Sequence, residues 1–448
     1  MHRLVLRGGK LSEDAHRKAA LAKEASYRMA LAAARQTSGA LAAIARGLHR
    51  KKRLLMRENR RDMENAARSG AAHASLGRLE LSDEKFSEII HEVRAVKAQK
   101  GAAGTITSRT ILDSGLELEK VAVPLGVVLA VFESRPDALV QISALAIKTG
   151  NAAILKGGKE ARNTNLALAR IIRAALMESG LPKDAIQLIE SRETLQNLLK
   201  MDSHIDMVIP RGGSSLVKYI QENSRIPVLA HASGVCHEYV DAHADIGKAV
   251  KVCVDAKCNY PAACNSMETL LAHRKIAGKF LPLYAKTLGG KVELRADREA
   301  LKILRAYGFE ARKARESDWG TEYNAPVLAV KTVGSTEEAI RHINAFGSRH
   351  TDGIITEKKS EAEKFLQGVD SAGVYWNAST RFADGYRYGK GAEVGISTGK
   401  IHARGPSGEE ALLTYKYILK GDGHAVADYM GKNARKFLHR KVRVSRNG

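Results

Sequence analysis

Short apolar runs alternate with longer amphipathic stretches along most of the chain from residue 116 onward. Leu116 to Val123 alternates apolar and polar residues, as a strand with one buried face does, whereas Val127 to Phe132 is apolar throughout. Further predicted strands cover 151–155, 185–189, 205–209, 227–229, 267–272, 326–332, 353–356 and 373–376. Predicted helices cover 137–148, 161–177, 216–222, 275–287, 336–345 and 361–366. This alternation predicts parallel, doubly wound α/β sheets in two lobes that join near residues 231–262.

Residues 14–100 differ in texture from the rest of the chain. They consist of long runs of Ala, Leu, Arg, Lys and Glu, contain no proline, and are interrupted at Ser69-Gly70. Such a stretch predicts a helical N-terminal segment. The chain shows no internal repeat and no low-complexity segment.

Length and composition exclude several classes of protein. The chain has 448 residues, 44% hydrophobic and 27% charged, which suits two or three domains with buried cores and excludes disordered, fibrous and small disulfide-bonded proteins. The longest apolar run, 121–132, is shorter than the roughly twenty residues of a bilayer span. Four cysteines without a signal-peptide pattern indicate reduced thiols in a cytoplasmic protein. The first twelve residues lack acidic groups, so a mitochondrial transit peptide is the alternative.

Positive charge is concentrated at the two ends of the chain. The net charge is +23; residues 1–70 hold 17 basic and 6 acidic side chains, and residues 431–448 hold 7 basic and none acidic. Basic ends can contact nucleic acid or another anionic surface. However, residues 1–70 contain a single aromatic, Tyr27, and so offer no surface for base stacking. A solvated helix face and a loose tail are the simpler interpretation, and no nucleic-acid partner is expected.

Two glycine turns follow predicted strands, the position at which open parallel sheets bind ligands. They are Lys156-Gly157-Gly158-Lys159 and Arg211-Gly212-Gly213-Ser214, the second of which leads into a helix. Free backbone N–H groups at such a turn suit a phosphate group. Neither turn matches the G-x-G-x-x-G or P-loop pattern, so tight turns without a ligand are the alternative to a dinucleotide site.

Cys264 is the thiol best placed for chemistry. It lies in a polar turn between the two lobes, where a thiolate could meet both a cofactor and a substrate. Cys236 and Cys253 fall in apolar strand and helix patterns that are typical of core positions. The spacing of Cys253, Cys258 and Cys264 includes no C-x-x-C pair, so no metal site is predicted.

Two polar segments, 377–385 and 391–397, are rich in hydrogen-bonding groups. If they face the cleft between the lobes, they are candidates for binding an anion or an amino acid, and plain loops are the alternative.

Eight blocks of sequence resemble the gamma-glutamyl phosphate reductases (glutamate-5-semialdehyde dehydrogenases) of the aldehyde dehydrogenase superfamily, above all the reductase half of eukaryotic pyrroline-5-carboxylate synthases. The blocks are 132–137, 156–160, 209–213, 234–237, 260–265, 376–386, 391–398 and 401–406. They lie between about Leu116 and Asp422, and the first 20 and last 25 residues are expected to fall outside the resemblance.

The resemblance implies an aldehyde dehydrogenase-like α/β fold: two doubly wound parallel-sheet lobes, a small β oligomerisation arm and an N-terminal helical segment. The implied divisions are a helical segment at 1–115 packed on the cofactor lobe, a Rossmann-like NADP-binding lobe at 116–235, a catalytic lobe at 236–390, a return to the cofactor lobe with the arm at 391–425, and a basic tail at 426–448. A homo-oligomer, dimer or tetramer, is also implied. A separate glutamate kinase is expected to make the substrate, because the kinase half of the bifunctional proteins has no counterpart here.

The implied reaction is the NADPH-dependent reduction of L-glutamyl 5-phosphate to L-glutamate 5-semialdehyde and phosphate, through a thioester on Cys264. It is the second step of proline biosynthesis from glutamate. Backbone N–H groups and Asn265 are the expected oxyanion donors. The expected cofactor-binding residues are Lys156, Gly157, Gly158, Lys159, Arg211, Gly212, Gly213, Ser214 and Glu322. The expected substrate-binding residues are Arg135, Ser379, Thr380, Arg381 and His402, the two arginines facing the phosphate or α-carboxylate.

Several positions depart from the superfamily or family pattern. Hydrolytic relatives carry a glutamate base where this chain has His231, and an oxyanion asparagine where it has Ser134. Lys390, Ser407 and Glu409 replace apolar residues, which puts local packing and oligomer contacts in question.

Two other functions remain as alternatives. One is another acyl-reducing aldehyde dehydrogenase, for example one that uses a coenzyme A thioester, because the basic loops also fit that group. The other is a basic nucleic-acid-binding protein on an inactive reductase fold, against which the retention of Cys264 in its turn argues.

Overall fold

The computed structural model describes residues 13–71, 73–230 and 233–444. The first twelve residues, considered as a transit peptide, lie outside this range. The described chain opens with five helices: α1 (Glu13–Ala30), α2 (Ala34–Arg50), α3 (Lys52–Arg68), α4 (His73–Leu79) and α5 (Asp83–Ala98). Alanines at helical spacing, such as Ala15, Ala19 and Ala22, are fully buried. Their small side chains let α1 approach the sheet that follows.

The cofactor lobe and part of the arm come next along the chain. Their elements are β1 (Ile106–Asp113), β2 (Leu116–Pro124), β3 (Val127–Phe132), α6 (Pro136–Thr149), β4 (Ala152–Lys156), α7 (Arg162–Glu178), β5 (Ile186–Ile189), α8 (Arg192–Leu198), β6 (Met207–Arg211) and α9 (Ser214–Asn223). Four strands form a parallel sheet in the order β5-β4-β3-β6. This sheet shares one hydrophobic core with α1, α2 and α5. The strand predicted at 227–229 is reduced to an isolated bridge between Val208 and Val228.

The catalytic lobe is a second α/β unit. Its elements are β7 (Cys236–Val240), α10 (Ile246–Cys258), β8 (Met267–His273), α11 (Arg274–Leu288), β9 (Glu293–Ala296), α12 (Arg298–Ala306), β10 (Arg312–Lys313), β11 (Val327–Val333), α13 (Thr336–Phe346), β12 (Thr351–Ile355), α14 (Lys359–Gly368) and β13 (Gly373–Trp376). The seven strands are all parallel, in the order β10-β9-β11-β8-β7-β12-β13. Separate apolar clusters cover this sheet. The two parallel sheets predicted from the apolar runs are therefore confirmed.

The remaining strands are β14 (Gly395–Ser397), β15 (Gly405–Ser407), β16 (Leu413–Lys420) and β17 (Arg440–Val442). The arm is an antiparallel sheet in the order β16-β2-β1-β17. β2 thus pairs in the arm, although the division at residue 116 had grouped it with the cofactor lobe. No helix in the described part of the chain is both long and apolar enough to cross a bilayer.

The basic C-terminal segment packs on the arm, which corrects the expectation of a loose tail. The Tyr429 hydroxyl donates to Asp113 at 2.8 Å, and Arg435 forms an ion pair with the same carboxylate at 2.8 Å. Phe437 stacks on Tyr429 with ring centroids 4.3 Å apart. β17 then pairs antiparallel with β1, so this segment covers one edge of the arm.

The three departures from the family pattern each find a partner. Lys390 donates to the carbonyl of Pro406 at 2.6 Å and forms an ion pair with Glu410. The Glu409 carboxylate accepts the Ala102 N–H at 2.6 Å, and the Ser407 hydroxyl donates to Gly405 O at 3.0 Å. The polar group of each of these three side chains is therefore hydrogen-bonded within the protein.

A buried carboxylate fastens the N-terminal helices to the cofactor lobe. Asp62, on α3, is 2% exposed and lies at the start of α7. One of its oxygens accepts the backbone and side-chain N–H groups of Asn163, and the other accepts the backbone N–H and hydroxyl of Thr164, at 2.7–3.1 Å. Asp62 thus caps α7 from a different helix.

We expect Asp62→Ala to lower the free energy of unfolding by about 2–4 kcal/mol, because four donors, two of them on the buried Thr164, lose their acceptor. Urea denaturation followed by circular dichroism measures the loss. Asp14→Ala, which removes an exposed i,i+3 pair with Arg17, is the control and should leave the midpoint unchanged. A midpoint for Asp62→Ala equal to that of the control would contradict the capping role.

Candidate active site

Cys264 lies in the turn that joins α10 to β8. α10 ends at Cys258, and Pro261 prevents its continuation because a proline has no N–H to donate. The Ser266 N–H donates to Ala263 O at 2.9 Å, which closes the turn around the thiol. Cys264 is a free cysteine, and it is half-buried, so part of the residue is open to a ligand.

The other three cysteines are less suited to nucleophilic attack. Cys236 and Cys253 are fully buried, and burial raises the pKa of both thiols well above the usual value. A thiol with a raised pKa provides little thiolate at neutral pH. Cys258 is exposed at the end of α10, outside the turn. The geometry therefore favours Cys264 among the four.

The backbone at Gly234 lies directly against the main chain of Cys264. A Cβ atom at position 234 would come within 1.9 Å of the Cys264 carbonyl oxygen and 2.6 Å of its Cα. The Gly234 N–H donates to Glu322 Oε1 at 2.9 Å, and Cys236 Sγ donates to Cys264 O at 3.4 Å. Glu322 and the nucleophile turn thus meet on one short backbone segment.

The segment after β13 turns back across the catalytic sheet toward Cys264. The Asn377 N–H donates to Ile354 O on β12, and the Thr380 N–H donates to Glu238 Oε1 on β7 at 3.0 Å. Glu238 is fully buried, and burial raises the pKa of its carboxyl well above the usual value. The Ser379 hydroxyl accepts the N–H of Arg381. This segment also contacts the nucleophile turn, through Asn265 and through Arg381 beside Tyr260.

Asn265 is used to hold this segment. Its side-chain amide donates to the carbonyls of Ala383 at 2.9 Å and Arg381 at 3.5 Å. The amide therefore does not face a substrate oxygen, contrary to its expected role as an oxyanion donor. By contrast, the backbone N–H groups of Cys264 and Asn265 have no acceptor within the described residues.

Arg381 is a buried cation beside the nucleophile turn. It is 8% exposed, and its Nε has no hydrogen-bond partner among the described residues. Its guanidinium carbon lies 5.9 Å from the ring centroid of Tyr260, in the same turn as Cys264. Burial and the neighbouring Arg387 lower the pKa of Arg381, while a charge on Cys264 acts in the opposite direction. An anionic ligand would offset the free-energy cost of burying the Arg381 charge.

The first glycine turn follows β4 as predicted. Lys156 is half-buried and donates to Gly157 O at 2.8 Å, and burial lowers the pKa of its ammonium. A Cβ at Gly157 would lie 2.2 Å from the Asn165 side-chain nitrogen, so a larger residue here would displace that side chain. Lys159 is exposed, beside the partly exposed Gly158.

The second glycine turn differs from the expectation in two respects. Arg211 donates to Gln141 at 2.9 Å and pairs with Glu393 at 3.4 Å, so its charge is neutralised within the protein. The Gly213 N–H, at the start of α9 beside Gly212 and Ser214, donates to Glu133 Oε2 at 3.0 Å. Glu133 therefore occupies an N–H group expected to face a cofactor phosphate.

Ser134, aligned with the oxyanion asparagine of the superfamily, also has a partner. Its N–H and hydroxyl donate to Glu160 Oε1 at 2.8 and 2.7 Å. Its φ of 44° places it in the left-handed region that non-glycine residues seldom adopt. His231, the residue at the position of the hydrolytic base, lies outside the described residues.

The two remaining candidates for substrate binding, Arg135 and His402, lie in different parts of the structure. Arg135 is half-buried at the start of α6, next to the segment that contains Ser134. The ring of His402 contacts the Ala411 carbonyl at 2.9 Å. The adjoining Leu412 carbonyl accepts from residues that precede β3 and β4, at the edge opposite the glycine turns. This placement does not support His402 as a substrate ligand.

Sequence reasoning missed the residues that support the site. Gly234 lies in one of the sequence blocks that resemble the family, but no role was predicted for it. Glu238 lies in β7 of the catalytic lobe. Lys257 and Glu268 form a fully buried pair at the two ends of the nucleophile turn. The available signal was a carboxylate in the apolar strand 267–272, a placement that requires a partner.

Comparison with known proteins relates the whole chain to one family. The aldehyde dehydrogenase family model matches residues 10–302 and 309–396. The gamma-glutamyl phosphate reductase of Methanosarcina acetivorans is 47% identical over 439 residues, covering 96% of this chain and 98% of the relative. That of Pelotomaculum thermopropionicum is 49% identical over 421 residues, covering 94% and 96%. The crystal structure of the Thermotoga maritima gamma-glutamyl phosphate reductase superposes with a TM-score of 0.89 at 37% identity, covering 92% of this chain and all of that one.

This chain belongs to the gamma-glutamyl phosphate reductases of the aldehyde dehydrogenase family. The predicted resemblance, the aldehyde dehydrogenase-like fold and the oxidoreductase class are confirmed. The likeness also extends further than expected. An alignment that covers 96% of the chain must include part of the ends thought to lie outside it, and the family model begins at residue 10.

We expect Gly234→Ala to lower kcat about 100-fold. The added methyl group overlaps the main chain of Cys264, and a displacement of about 1 Å at a reacting group has effects of that order. Steady-state rates and thermal melting measure the two consequences. Gly278→Ala, on the exposed face of α11 with no atom near its Cβ, is the matched control and should keep full activity. Comparable activity in the two variants would contradict the close approach.

Proposed function

We propose that this chain reduces L-glutamyl 5-phosphate to L-glutamate 5-semialdehyde and phosphate, with NADPH as the hydride donor. The observation that carries the proposal is a half-buried Cys264 between the Gly234 backbone and a buried, partly unpartnered Arg381, in a chain nearly half identical to gamma-glutamyl phosphate reductases. Those relatives favour an acyl phosphate over a coenzyme A thioester. The nucleic-acid alternative has less support, because the basic C-terminal segment packs on the arm and is not a loose tail.

The thiolate of Cys264 attacks the acyl carbonyl carbon, and the C–O bond to phosphate breaks, which leaves a thioester. The backbone N–H groups of Cys264 and Asn265 stabilise the oxyanion of the tetrahedral adduct, with about 3 kcal/mol expected for each donor. Arg381 binds an anionic group of the substrate through its guanidinium, and Arg135 is the second candidate. The hydroxyl of Thr380, which is buried without a partner among the described residues, is a further contact.

The cofactor-side residues fit a nicotinamide dinucleotide. Glu322 uses Oε1 for the Gly234 N–H, which leaves Oε2 to accept from ribose hydroxyls. Lys156 and the turn Gly157–Lys159 lie at the carboxyl end of β4, where two basic side chains suit the adenosine half. Glu133 must release the Gly213 N–H for a phosphate to bind at α9, and its exposed position permits this. Bound NADPH supplies the hydride that reduces the thioester.

Collapse of the reduced adduct returns the thiolate of Cys264 and releases the semialdehyde. Attack of water on the thioester would instead give glutamate. Among the described residues around Cys264, Glu238 is fully buried, and burial raises the pKa of its carboxyl well above the usual value, so a protonated Glu238 cannot serve as a base for water.

A separate glutamate kinase supplies the acyl phosphate in this proposal, and the enzyme acts in the cytoplasm as a homo-oligomer. Support for association comes from the arm. β16 is an edge strand on which Tyr415, Tyr417 and Leu419 are 51%, 60% and 58% exposed. Exposed apolar side chains on an unpaired strand edge are typical of an interface.

We expect Cys264→Ser to abolish turnover, by at least about 10³-fold, while NADPH binding stays within twofold, because a hydroxyl here has no base to ionise it. Cofactor binding by fluorescence titration and the reductase rate are measured on the same sample. Cys258→Ser, which alters an exposed thiol, is the control and should keep its activity. An active Cys264→Ser variant together with an inactive Cys236→Ser variant would identify a different nucleophile.

We expect Lys159→Glu to reduce the preference for NADP over NAD, expressed as the ratio of kcat/KM values, by about tenfold. An ammonium pairs with a 2′-phosphate, whereas a carboxylate repels it and accepts from a 2′-hydroxyl. Lys183→Glu makes the same charge change at an exposed site before β5 and should leave the ratio unchanged. An unchanged ratio in Lys159→Glu would mean that Lys159 points to solvent and does not discriminate.

A further inference from the structure

A fully buried ion pair joins the two ends of the nucleophile turn. Lys257 is the penultimate residue of α10, and Glu268 is the second residue of β8. Their side chains are 0% exposed, and Lys257 Nζ lies 2.5 Å from Glu268 Oε2. The turn that carries Cys264 begins and ends within a few residues of this contact.

Stability alone is a weak reason for such a pair. Removing two charges from water costs several kcal/mol per ion, and apolar residues of similar volume often serve as well. The cost shows in both groups, since burial raises the pKa of Glu268 to about 7 and lowers the pKa of Lys257. The hydrogen bond made by the second oxygen of Glu268, Oε1, indicates a further role for the pair.

Glu268 Oε1 accepts the backbone N–H of Asn324 at 3.2 Å. Asn324 has a φ of 53°, a left-handed conformation that the surrounding contacts must hold. Two residues earlier in the same segment, Glu322 accepts the Gly234 N–H. Gly234 in turn lies against the Cys264 main chain. A continuous set of contacts therefore runs from the buried pair to Glu322 and back to the nucleophile.

We propose that Glu268, held by Lys257, is a positioning residue that sets the place of the Glu322 carboxylate relative to Cys264. The proposal rests on the proposed function, in which Glu322 contacts the cofactor. Glu268 itself is fully buried and acts through the Asn324 backbone. Its loss should therefore appear first in cofactor affinity.

A double-mutant cycle on Glu268→Gln and Glu322→Gln tests this, with NADPH affinity measured by fluorescence titration without substrate. We expect Glu322→Gln to weaken binding about tenfold and Glu268→Gln about threefold to tenfold. The double variant should bind NADPH within about twofold of Glu322→Gln alone, because both changes remove the same contact. In steady state, Glu268→Gln should raise the KM for NADPH more than it lowers kcat.

Two further variants separate positioning from folding. Lys257→Met combined with Glu268→Leu removes both buried charges, should remain folded, and should still weaken NADPH binding. Asp297→Asn is the control: Asp297 caps α12 and bonds Thr332 in the same lobe, so this change should lower the melting temperature without changing NADPH affinity.

The possible failures are distinguishable. If Glu322→Gln binds NADPH as the wild type does, the cofactor role of Glu322 falls and the positioning role falls with it. If Glu322→Gln weakens binding but Glu268→Gln does not, or if the two effects multiply, the positioning role is overturned and the proposed function stands.

Discussion

The contact between the Gly234 backbone and the Cys264 carbonyl is the constraint on which the site depends. Gly234 lies just ahead of β7, and no side chain fits between it and the nucleophile turn. One short segment therefore fixes three groups: the thiol-bearing turn, the Glu322 carboxylate through the Gly234 N–H, and Cys236 through the Cys264 carbonyl. Because the contact between Gly234 and Cys264 joins two main chains, it fixes the nucleophile turn without depending on a side-chain rotamer.

The two lobes use different physical means for their tasks. The cofactor-lobe sheet is held by an almost wholly apolar core, in which β3 is at most 4% exposed. The catalytic lobe instead buries charged groups around Cys264: Arg381, Glu238 and the Lys257–Glu268 pair. Buried charge is expensive unless it is paired or hydrogen-bonded. These four residues lie around one turn, in agreement with the rule that functional sites depart from the economy of the rest of a fold.

Apolar runs were enough to place most of the fold. β3 and β4 lie where apolar stretches predicted them, since strands buried on both faces have no polar alternation. β9 and β10 were missed because they are short and contain charged residues, Glu293 and Arg312 among them. β17 was missed because its pairing depends on Asp113 and Tyr429, far away in the sequence.

The residues of the site also divide into those that the sequence predicts and those that it does not. The turn around Cys264 and the segment 379–381 were predictable, since polar residues after or between predicted strands mark candidate loops. The partners of Arg211, Ser134 and His402 were not, because Glu393, Glu160 and Ala411 meet them only in the folded chain. Charge and motif indicated that these residues were polar and near a turn, but not whether a ligand or the protein satisfies them.

In the proposed reaction, a thioester on Cys264 exchanges with phosphate and not with water. Supplying pyrroline-5-carboxylate and NADP runs the reaction in reverse, and NADPH formation is followed with and without inorganic phosphate. We expect NADPH formation that requires phosphate and saturates with it. NADPH formation at a comparable rate without phosphate, with glutamate as the product, would contradict it.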